Sequence, residues 1–170
     1  MLCYLAMIDT AEERSKFEEI YIQYRNLMYT VAYRVLNNSE DAEDAVHTAF
    51  MRIAKNIEII KTDGDKTTGL MITIARNAAI DLYRKRSKQS TVELMEDIAA
   101  PESEPVMDEL AACILKLPER QRGILLLKYY HGYHNDEIAQ LMGLSAVNVT
   151  KIIQRAKEKL QKYCEEEGLL

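Results

Sequence analysis

Apolar residues recur at helical spacing along almost the whole chain, and this periodicity limits the fold more than any other feature of the sequence. Alternation of apolar and polar residues, which predicts strands, is nearly absent. Only six of the 170 residues are Gly and three are Pro, so few positions interrupt a helix. The sequence therefore predicts an all-α fold. The clearest stripe predicts a first long helix from about Ala11 to Leu36, and its members are Phe17, Ile20, Tyr21, Tyr24, Leu27, Met28, Val31 and Val35.

Capping residues predict where the next helices begin and end. Thr10 and Glu13 have the spacing of a capping box at the start of the first helix. Ser39 is a good N-cap for a second helix that runs to about Ile57. Residues 61–68, which contain an Asp-Gly-Asp sequence, are predicted to be a loop, and a third helix is predicted from Thr68 onward. On the second helix, the polar residues predicted to face water or a partner are Asp41, Asp44, Thr48, Arg52 and Lys55.

An acidic stretch divides the chain. Residues 91–109 contain seven Asp or Glu residues, no Lys or Arg, and two prolines, which is typical of a solvated linker. The sequence thus predicts two small helical domains, residues 1–90 and 110–170, joined by a flexible acidic linker.

The second domain contains a helix-turn-helix pattern. Pro118 suits the first position of a helix that Gly132 ends. Residues 135–141 then predict a short helix, Gly143 a turn, and Ser145 the N-cap of a longer helix to about Cys164. An ordinary helical hairpin with a glycine turn is the alternative interpretation.

In a helix-turn-helix, the first residues of the second helix face the major groove of DNA. Asn148 is suited to reading adenine, whereas Lys151 and Arg155 are suited to neutralising phosphates. A net charge of −5 argues against holding nucleic acid by bulk charge, so any DNA contact must be local. The candidate groove and phosphate contacts are Ser145, Ala146, Asn148, Lys151, Ile152 and Arg155.

A basic cluster near the end of the first domain is a second candidate for DNA binding. Tyr83 precedes Arg84, Lys85 and Arg86, and cations beside an aromatic ring can hold backbone phosphates and stack an exposed base. A solvated helix end is the alternative.

Residues that would carry catalysis are not evident. His47, His131 and His134 do not have the spacing of a ligand set, and neither a nucleophile motif nor a phosphate-binding glycine loop is present. We therefore expect no enzymatic activity, no metal and no cofactor. The three cysteines are predicted to be free, buried thiols in a reducing compartment. The apolar run at residues 1–8 is too short to span a bilayer, so the protein is expected to be cytoplasmic and to pack this run against the first helix.

Three segments, in this order and spacing, resemble extracytoplasmic-function (ECF) sigma factors of the sigma-70 family. They are DAEDAVHTAF at residues 41–50, IARNAAIDLYRKR at residues 74–86, and DEIAQLMGLS at residues 136–145 with RAK at 155–157. The resemblance covers nearly the whole chain. It implies a promoter-specificity subunit that binds the clamp helices and flap of core RNA polymerase, promoter DNA and an anti-sigma factor.

The resemblance also implies roles for particular residues. The second helix would bind the clamp helices through Asp41, Asp44, His47, Thr48 and Met51. The loop at residues 61–68 would receive a base flipped out of the minus-ten element. Minus-ten contacts would come from Lys61, Lys66, Arg76, Asn77, Tyr83, Arg84 and Arg86, and the helix-turn-helix would read the minus-thirty-five element. The sequence departs from the family pattern at His47 and Thr48, where Gln and Glu are usual.

Two other functions remain open from the sequence. A helix-turn-helix regulator that binds operators without polymerase is the main alternative. A purely protein-binding helical adaptor is the other.

Overall fold

The computed structural model describes residues 1–87 and 109–169. The predicted linker at residues 91–109 lies outside these residues, except for Glu109, which opens a helix. The chain divides into two compact units, Met1–Leu94 with Gln140–Gly143 and Met95–Ala139 with Leu144–Leu170. The helices up to residue 87 form an N-terminal group, and those from residue 109 onward form a C-terminal group.

Every regular element of the described residues is helical, which confirms the all-α prediction. A short 3₁₀ turn, Ile57–Ile59, follows the third helix. No helix within these residues is long and apolar enough to cross a membrane. The α-helices are α1 Leu2–Leu5, α2 Ala11–Leu36, α3 Ser39–Lys55, α4 Gly64–Ser87, α5 Glu109–Leu115, α6 Glu119–Tyr129, α7 Asn135–Met142 and α8 Ala146–Glu166.

The core of the N-terminal group forms where α2, α3 and α4 pack together. Helix α2 contributes the predicted stripe, of which Phe17, Met28 and Val31 are buried. Helix α3 contributes alanines and Phe50, and α4 contributes Leu70, which is 1% exposed. Small residues on α3 allow close approach of the helices, so the large side chains of α2 fill the space between them.

The junction between α2 and α3 is built from two asparagines. Asn37 ends α2 in the left-handed conformation, with φ of 47°, which asparagine tolerates better than most residues. Asn38, rather than the predicted Ser39, is the N-cap of α3, because its side chain accepts the backbone N–H of Asp41 at 3.0 Å. At the start of α2 the predicted cap is confirmed, since the Thr10 hydroxyl accepts the N–H of Glu13 at 3.2 Å.

Helix α4 begins at Gly64, four residues before the predicted start, so the predicted loop at residues 61–68 is mostly helix. The reason is a local capping arrangement. The backbone carbonyl of Asp63 accepts the N–H of Lys66 at 2.9 Å, and the buried Thr67 hydroxyl accepts the N–H of Asp63 at 2.7 Å. These bonds satisfy backbone groups that a helix end otherwise leaves unpaired.

The C-terminal group packs around Ile124 and Leu127 of α6 and Val149 of α8, all of which are buried. Pro118 is the N-cap of α6 rather than its first residue, so the helix begins one position later than predicted. After α6 the chain turns through Gly132, with φ of 76°. The Tyr133 N–H then bonds the carbonyl of Leu127 at 3.0 Å, which closes the helix end.

The cysteines divide into two environments. Cys113 and Cys164 are buried, as predicted, but Cys3 is exposed, so the prediction for Cys3 was wrong. Cys3 lies on the short helix α1, where the apolar pattern is too brief to fix which face is buried. Burial raises the pKa of the Cys113 thiol, and the hydrogen bond to Cys164 adds to this effect. Cys113 is therefore in its thiol form at neutral pH.

Candidate nucleic-acid and polymerase interfaces

The turn of the helix-turn-helix needs a backbone conformation that glycine adopts readily. Gly143 has φ of 64°, and the N–H of Leu144 then reaches the carbonyl of Ala139 at 2.8 Å. A second bond ties the two helices together, because the Asn135 amide donates to the Thr150 hydroxyl at 3.1 Å. The sequence did not predict this hydrogen bond, since Asn135 and Thr150 lie on different helices.

Helix α8 starts at a side-chain cap and presents polar residues to solvent. The Ser145 hydroxyl accepts the N–H of Asn148 at 3.2 Å, as the sequence predicted. Asn148, Lys151 and Arg155 are exposed at three-four spacing, and Ile152 is half-buried beside them. We call these four residues the recognition face. Ser145 and Ala146 lie at the same end of the helix, with Ser145 exposed and Ala146 half-buried.

The basic cluster of Tyr83, Arg84, Lys85 and Arg86 occupies the last turns of α4, and we call it the basic end of α4. Tyr83 is 38% exposed and Arg84 is half-buried. Arg86 donates to the carboxylate of Asp41 on α3, so it joins two helices of the core as well as adding positive charge.

The predicted minus-ten residues spread along the whole of α4. Lys66 lies in its first turn and pairs with Asp63 at 3.7 Å, while exposed Lys61 lies just before the helix. Arg84 is about five turns further on, which is about 27 Å. Such a separation excludes one shared pocket for both groups.

The middle of α4 carries the other two predicted contacts. Arg76 is half-buried, whereas Asn77 is only 4% exposed and donates its amide to Asp81 at 3.4 Å. The same Asp81 carboxylate pairs with Arg52 of α3 at 3.4 Å. Asp81 therefore connects α3 with the polar residues of α4.

On α3, the structure separates the five predicted polymerase contacts into two groups. Asp44, His47 and Thr48 are exposed and Met51 is half-buried, and we call these four residues the clamp-facing surface, after the role predicted for them. Asp41, in contrast, is only 6% exposed and accepts Arg86. The expectation that Asp41 faces water or a partner was wrong, because a cation 45 residues away in the sequence draws its carboxylate inward.

His47 has a partner that the sequence did not predict. Tyr4 of α1 is buried, and its hydroxyl lies 2.7 Å from Nδ1 of His47. The Tyr4 ring also packs near Phe17, Tyr21 and Phe50, with centroid distances of 5.5, 5.9 and 6.0 Å. The apolar run at the N-terminus therefore folds onto both α2 and α3. Burial raises the pKa of the Tyr4 hydroxyl.

The C-terminal group carries an apolar groove that was not predicted from the sequence. Its volume is about 450 Å³. Leu126 and Tyr129 on its rim are 38% and 59% exposed, and the Lys157 ammonium lies 5.1 Å from the centre of the Tyr129 ring. Exposed aromatic and aliphatic side chains around a groove are typical of a protein-binding surface. The groove is lined by Leu110, Ile114, Leu125, Leu126, Tyr129, Tyr130, Lys157 and Leu160.

A helix-turn-helix with an exposed polar recognition face, preceded in the chain by helices that end in a basic cluster, defines a helical DNA-binding protein. Comparison with known families narrows this class. The model for sigma-70 region 2 matches residues 20–89, and the model for sigma-70 region 4 matches residues 107–160. Together the two matched segments cover more than half of the chain. The protein belongs to the sigma-70 family, and its relatives place it in the ECF group.

Two relatives from Bacillus subtilis show the extent of the similarity. The chain is 29% identical over 168 residues to the ECF RNA polymerase sigma factor SigW, a match that covers 88% of this chain and 89% of SigW. It is 28% identical over 152 residues to the ECF RNA polymerase sigma factor SigM, with 85% and 92% covered. Each match covers more than four fifths of this chain.

Among solved structures, the chain is similar to the sigma factor RpoE from Bartonella quintana, which was crystallised in complex with the anti-sigma factor NepR. The sequences are 19% identical, the match covers 88% of this chain and 96% of RpoE, and the TM-score is 0.43.

Proposed function

We propose that this protein directs core RNA polymerase to specific promoters and takes part in opening the DNA there. The observation that carries the proposal is the presence of sigma-70 region 2 and region 4, in that order, in one chain. A regulator that acts alone needs only the second of these. The net charge of −5 agrees with dependence on polymerase, because the chain lacks the bulk positive charge that holds DNA nonspecifically.

The C-terminal domain, residues 110–170, would read the minus-thirty-five element. Its recognition face supplies Asn148 for a base edge and Lys151 and Arg155 for phosphates. The exposed Ser145 and the half-buried Ala146 and Ile152 lie beside these residues and would contact the groove wall.

The N-terminal domain, residues 1–90, would hold the separated strand of the minus-ten element along α4. A strand lying along the helix reaches Lys61 and Lys66 at one end and the basic end of α4 at the other. Arg76 would contact it between these points, whereas Asn77 is only 4% exposed and would support α4 from inside rather than touch the strand. Tyr83 is exposed enough to stack on a base, and stacking of this kind tolerates any sequence.

Two surfaces would bind core polymerase. The clamp-facing surface on α3 would contact the clamp helices, with Asp41 supporting the helix from inside rather than touching the partner. The apolar groove of the C-terminal group would receive the flap, because a partly apolar helix can bury itself against Leu126, Tyr129 and their neighbours.

The proposal includes several consequences of the same role. The protein would act in the cytoplasm, where core polymerase and promoter DNA are found. It would have no catalytic activity of its own and need no cofactor or metal. An anti-sigma factor would hold it inactive by covering the surfaces that bind polymerase and DNA.

Complex formation with purified core polymerase tests the proposal directly. We expect the chain to co-elute with core polymerase in gel filtration and to give promoter footprints only as part of that complex. Tight, sequence-specific footprints by the isolated chain would instead support a polymerase-independent regulator.

A charge placed in the apolar groove tests the flap site. Leu126→Glu is expected to weaken core binding by at least about tenfold, because a carboxylate is costly to bury without a partner. The side chain is already 38% exposed, so the fold should tolerate the change. Ile22→Glu on α2 is the matched control, since Ile22 is 68% exposed and lies outside the groove. If the two variants bind core polymerase with equal affinity, the groove is not part of the polymerase interface.

A further inference from the structure

His47 is the member of the clamp-facing surface whose chemistry depends on another residue. A neutral imidazole carries its proton on either Nδ1 or Nε2, and the hydrogen bond at one nitrogen determines which. In this protein Nδ1 is held at 2.7 Å from the Tyr4 hydroxyl. Within residues 1–87 and 109–169, His47 has no second hydrogen-bond partner. Nε2 is therefore the nitrogen left for a partner molecule.

The direction of the Tyr4–His47 bond follows from the needs of the tyrosine. Tyr4 is 6% exposed, and His47 is the one hydrogen-bond partner of its hydroxyl among the described residues. If Nδ1 donated to the phenol oxygen, the buried O–H would lack an acceptor, which costs free energy. If Tyr4 donates to Nδ1, the buried O–H has its acceptor, and the remaining polar hydrogen, on Nε2, belongs to the exposed side chain of His47. Burial also raises the pKa of the Tyr4 hydroxyl, so the group keeps the proton that it donates.

We propose that Tyr4 is a positioning residue that orients the ring of His47 with a proton on Nε2, as a hydrogen-bond donor for an acceptor oxygen of core polymerase. This inference rests on the proposed function, because it assigns chemistry to the clamp-facing surface. Tyr4 touches no partner itself and acts through the ring of His47.

Ring packing adds to the hydrogen bond. The Tyr4 and His47 ring centroids are 5.3 Å apart with an interplanar angle of 42°, and Tyr4 is held in turn by Phe17 and Phe50. The histidine is exposed, yet its orientation is coupled to the buried aromatic core. A pre-oriented donor loses less conformational entropy on binding than a freely rotating one.

Tyr4→Phe is the sharpest variant, because it keeps the ring and removes only the hydroxyl. In the free full-length chain, nitrogen-15 NMR of the wild-type His47 ring should show one tautomer with the proton on Nε2. The Tyr4→Phe variant should show a mixture of tautomers or orientations while its thermal unfolding stays close to wild type. Core polymerase should bind this variant more weakly, by up to about fivefold, which is the size expected if the one hydrogen bond of His47 were lost entirely.

Rescue by glutamine separates positioning from general damage. A glutamine amide always carries a donor, whatever the state of residue 4. The His47→Gln variant and the Tyr4→Phe/His47→Gln double variant should therefore bind core polymerase with the same affinity as each other. Tyr33→Phe is the matched control for loss of a hydroxyl, because Tyr33 is an exposed tyrosine of α2 outside the clamp-facing surface.

Each outcome of this experiment supports or overturns a defined claim. A proton on Nδ1 in the wild-type chain would overturn the assigned tautomer. If the wild-type chain binds core polymerase and the Tyr4→Phe variant binds it with the same affinity, the positioning role of Tyr4 is overturned, but the proposed function is not. Failure of the wild-type chain to bind core polymerase would overturn the proposed function, and the role of His47 with it.

Discussion

Asn148, Lys151 and Arg155 stand side by side on the recognition face, yet they are expected to act differently. A side chain that binds a phosphate adds affinity for any sequence, whereas one that binds a base edge adds discrimination. The amide of Asn148 has the donor and acceptor pair that adenine requires. The two cations have donors only.

Substitutions on the recognition face should separate these two roles. Lys151→Ala should weaken promoter binding by the polymerase complex on all sequences. It should also reduce the slope of log affinity against log salt concentration by about one, because one phosphate contact is lost. Asn148→Ala should relax preference at one base pair by about 1–3 kcal/mol with little change in salt dependence. Binding measured against salt, on matched and mutated promoters, distinguishes them.

Gln161→Ala, on an exposed residue further along α8, is the control for these measurements and should change neither quantity. Equal loss of affinity on all sequences for both Asn148→Ala and Lys151→Ala would contradict a base-reading role for Asn148.

Contacts between residues that are far apart in the chain could not be predicted from the sequence. Asp41 lies on α3 among exposed acidic residues, and nothing nearby indicates that Arg86 buries its carboxylate. Tyr4 and His47 are likewise 43 positions apart. Helical periodicity reports which residues share a face, but it carries no information about contacts between elements.

Arg84 and Arg86, both near the end of α4, are predicted to differ in their effect on stability. Arg86→Ala should destabilise the N-terminal helices by about 1 kcal/mol, because it leaves the Asp41 carboxylate buried without its cation. Half of the Arg86 side chain is exposed, so solvent limits the loss. Arg84→Ala should leave stability close to wild type and affect only DNA opening. Urea unfolding of the two variants checks the difference, and equal stabilities would contradict a structural role for Arg86.

At the scale of elements, helix positions followed well from the sequence, because periodicity and capping act locally. Helix α2 was predicted with both ends, and Ser145 was predicted as the cap of α8. The start of α4 was missed, since Gly64 and Asp65 have low helix propensity and the bonds that compensate them involve Asp63 and Thr67. The groove was missed because α5, α6 and α8 form it together.

The cap of α3 provides a direct test at this scale. Asn38→Ala should lower the free energy of unfolding by about 1 kcal/mol, because it removes the acceptor for the Asp41 N–H. Ser39→Ala is the matched control and should have little effect, since Ser39 is the first residue of the helix rather than its cap. Urea denaturation of both variants gives the comparison. A larger loss for Ser39→Ala would contradict the observed cap.

At the scale of the whole molecule, the function follows from the combination of two regions rather than from either alone. The helix-turn-helix indicates only DNA binding of an unspecified kind. Sigma-70 region 2 matches residues 20–89, and under the proposed function it would add a second DNA-facing element and a surface for polymerase. The family was recognisable in the sequence because the three motifs keep their order and spacing. The roles of single residues within them stay predictions that depend on contacts with polymerase and DNA.

Reconstituted transcription tests the central claim most directly. Purified full-length chain is added to core RNA polymerase with bacterial genomic templates, and the start sites of the transcripts are mapped. We expect initiation at a defined set of promoters that share minus-thirty-five and minus-ten elements, and none from core polymerase alone. If no template supports specific initiation and no stable complex with core polymerase forms, the protein is not a promoter-specificity subunit.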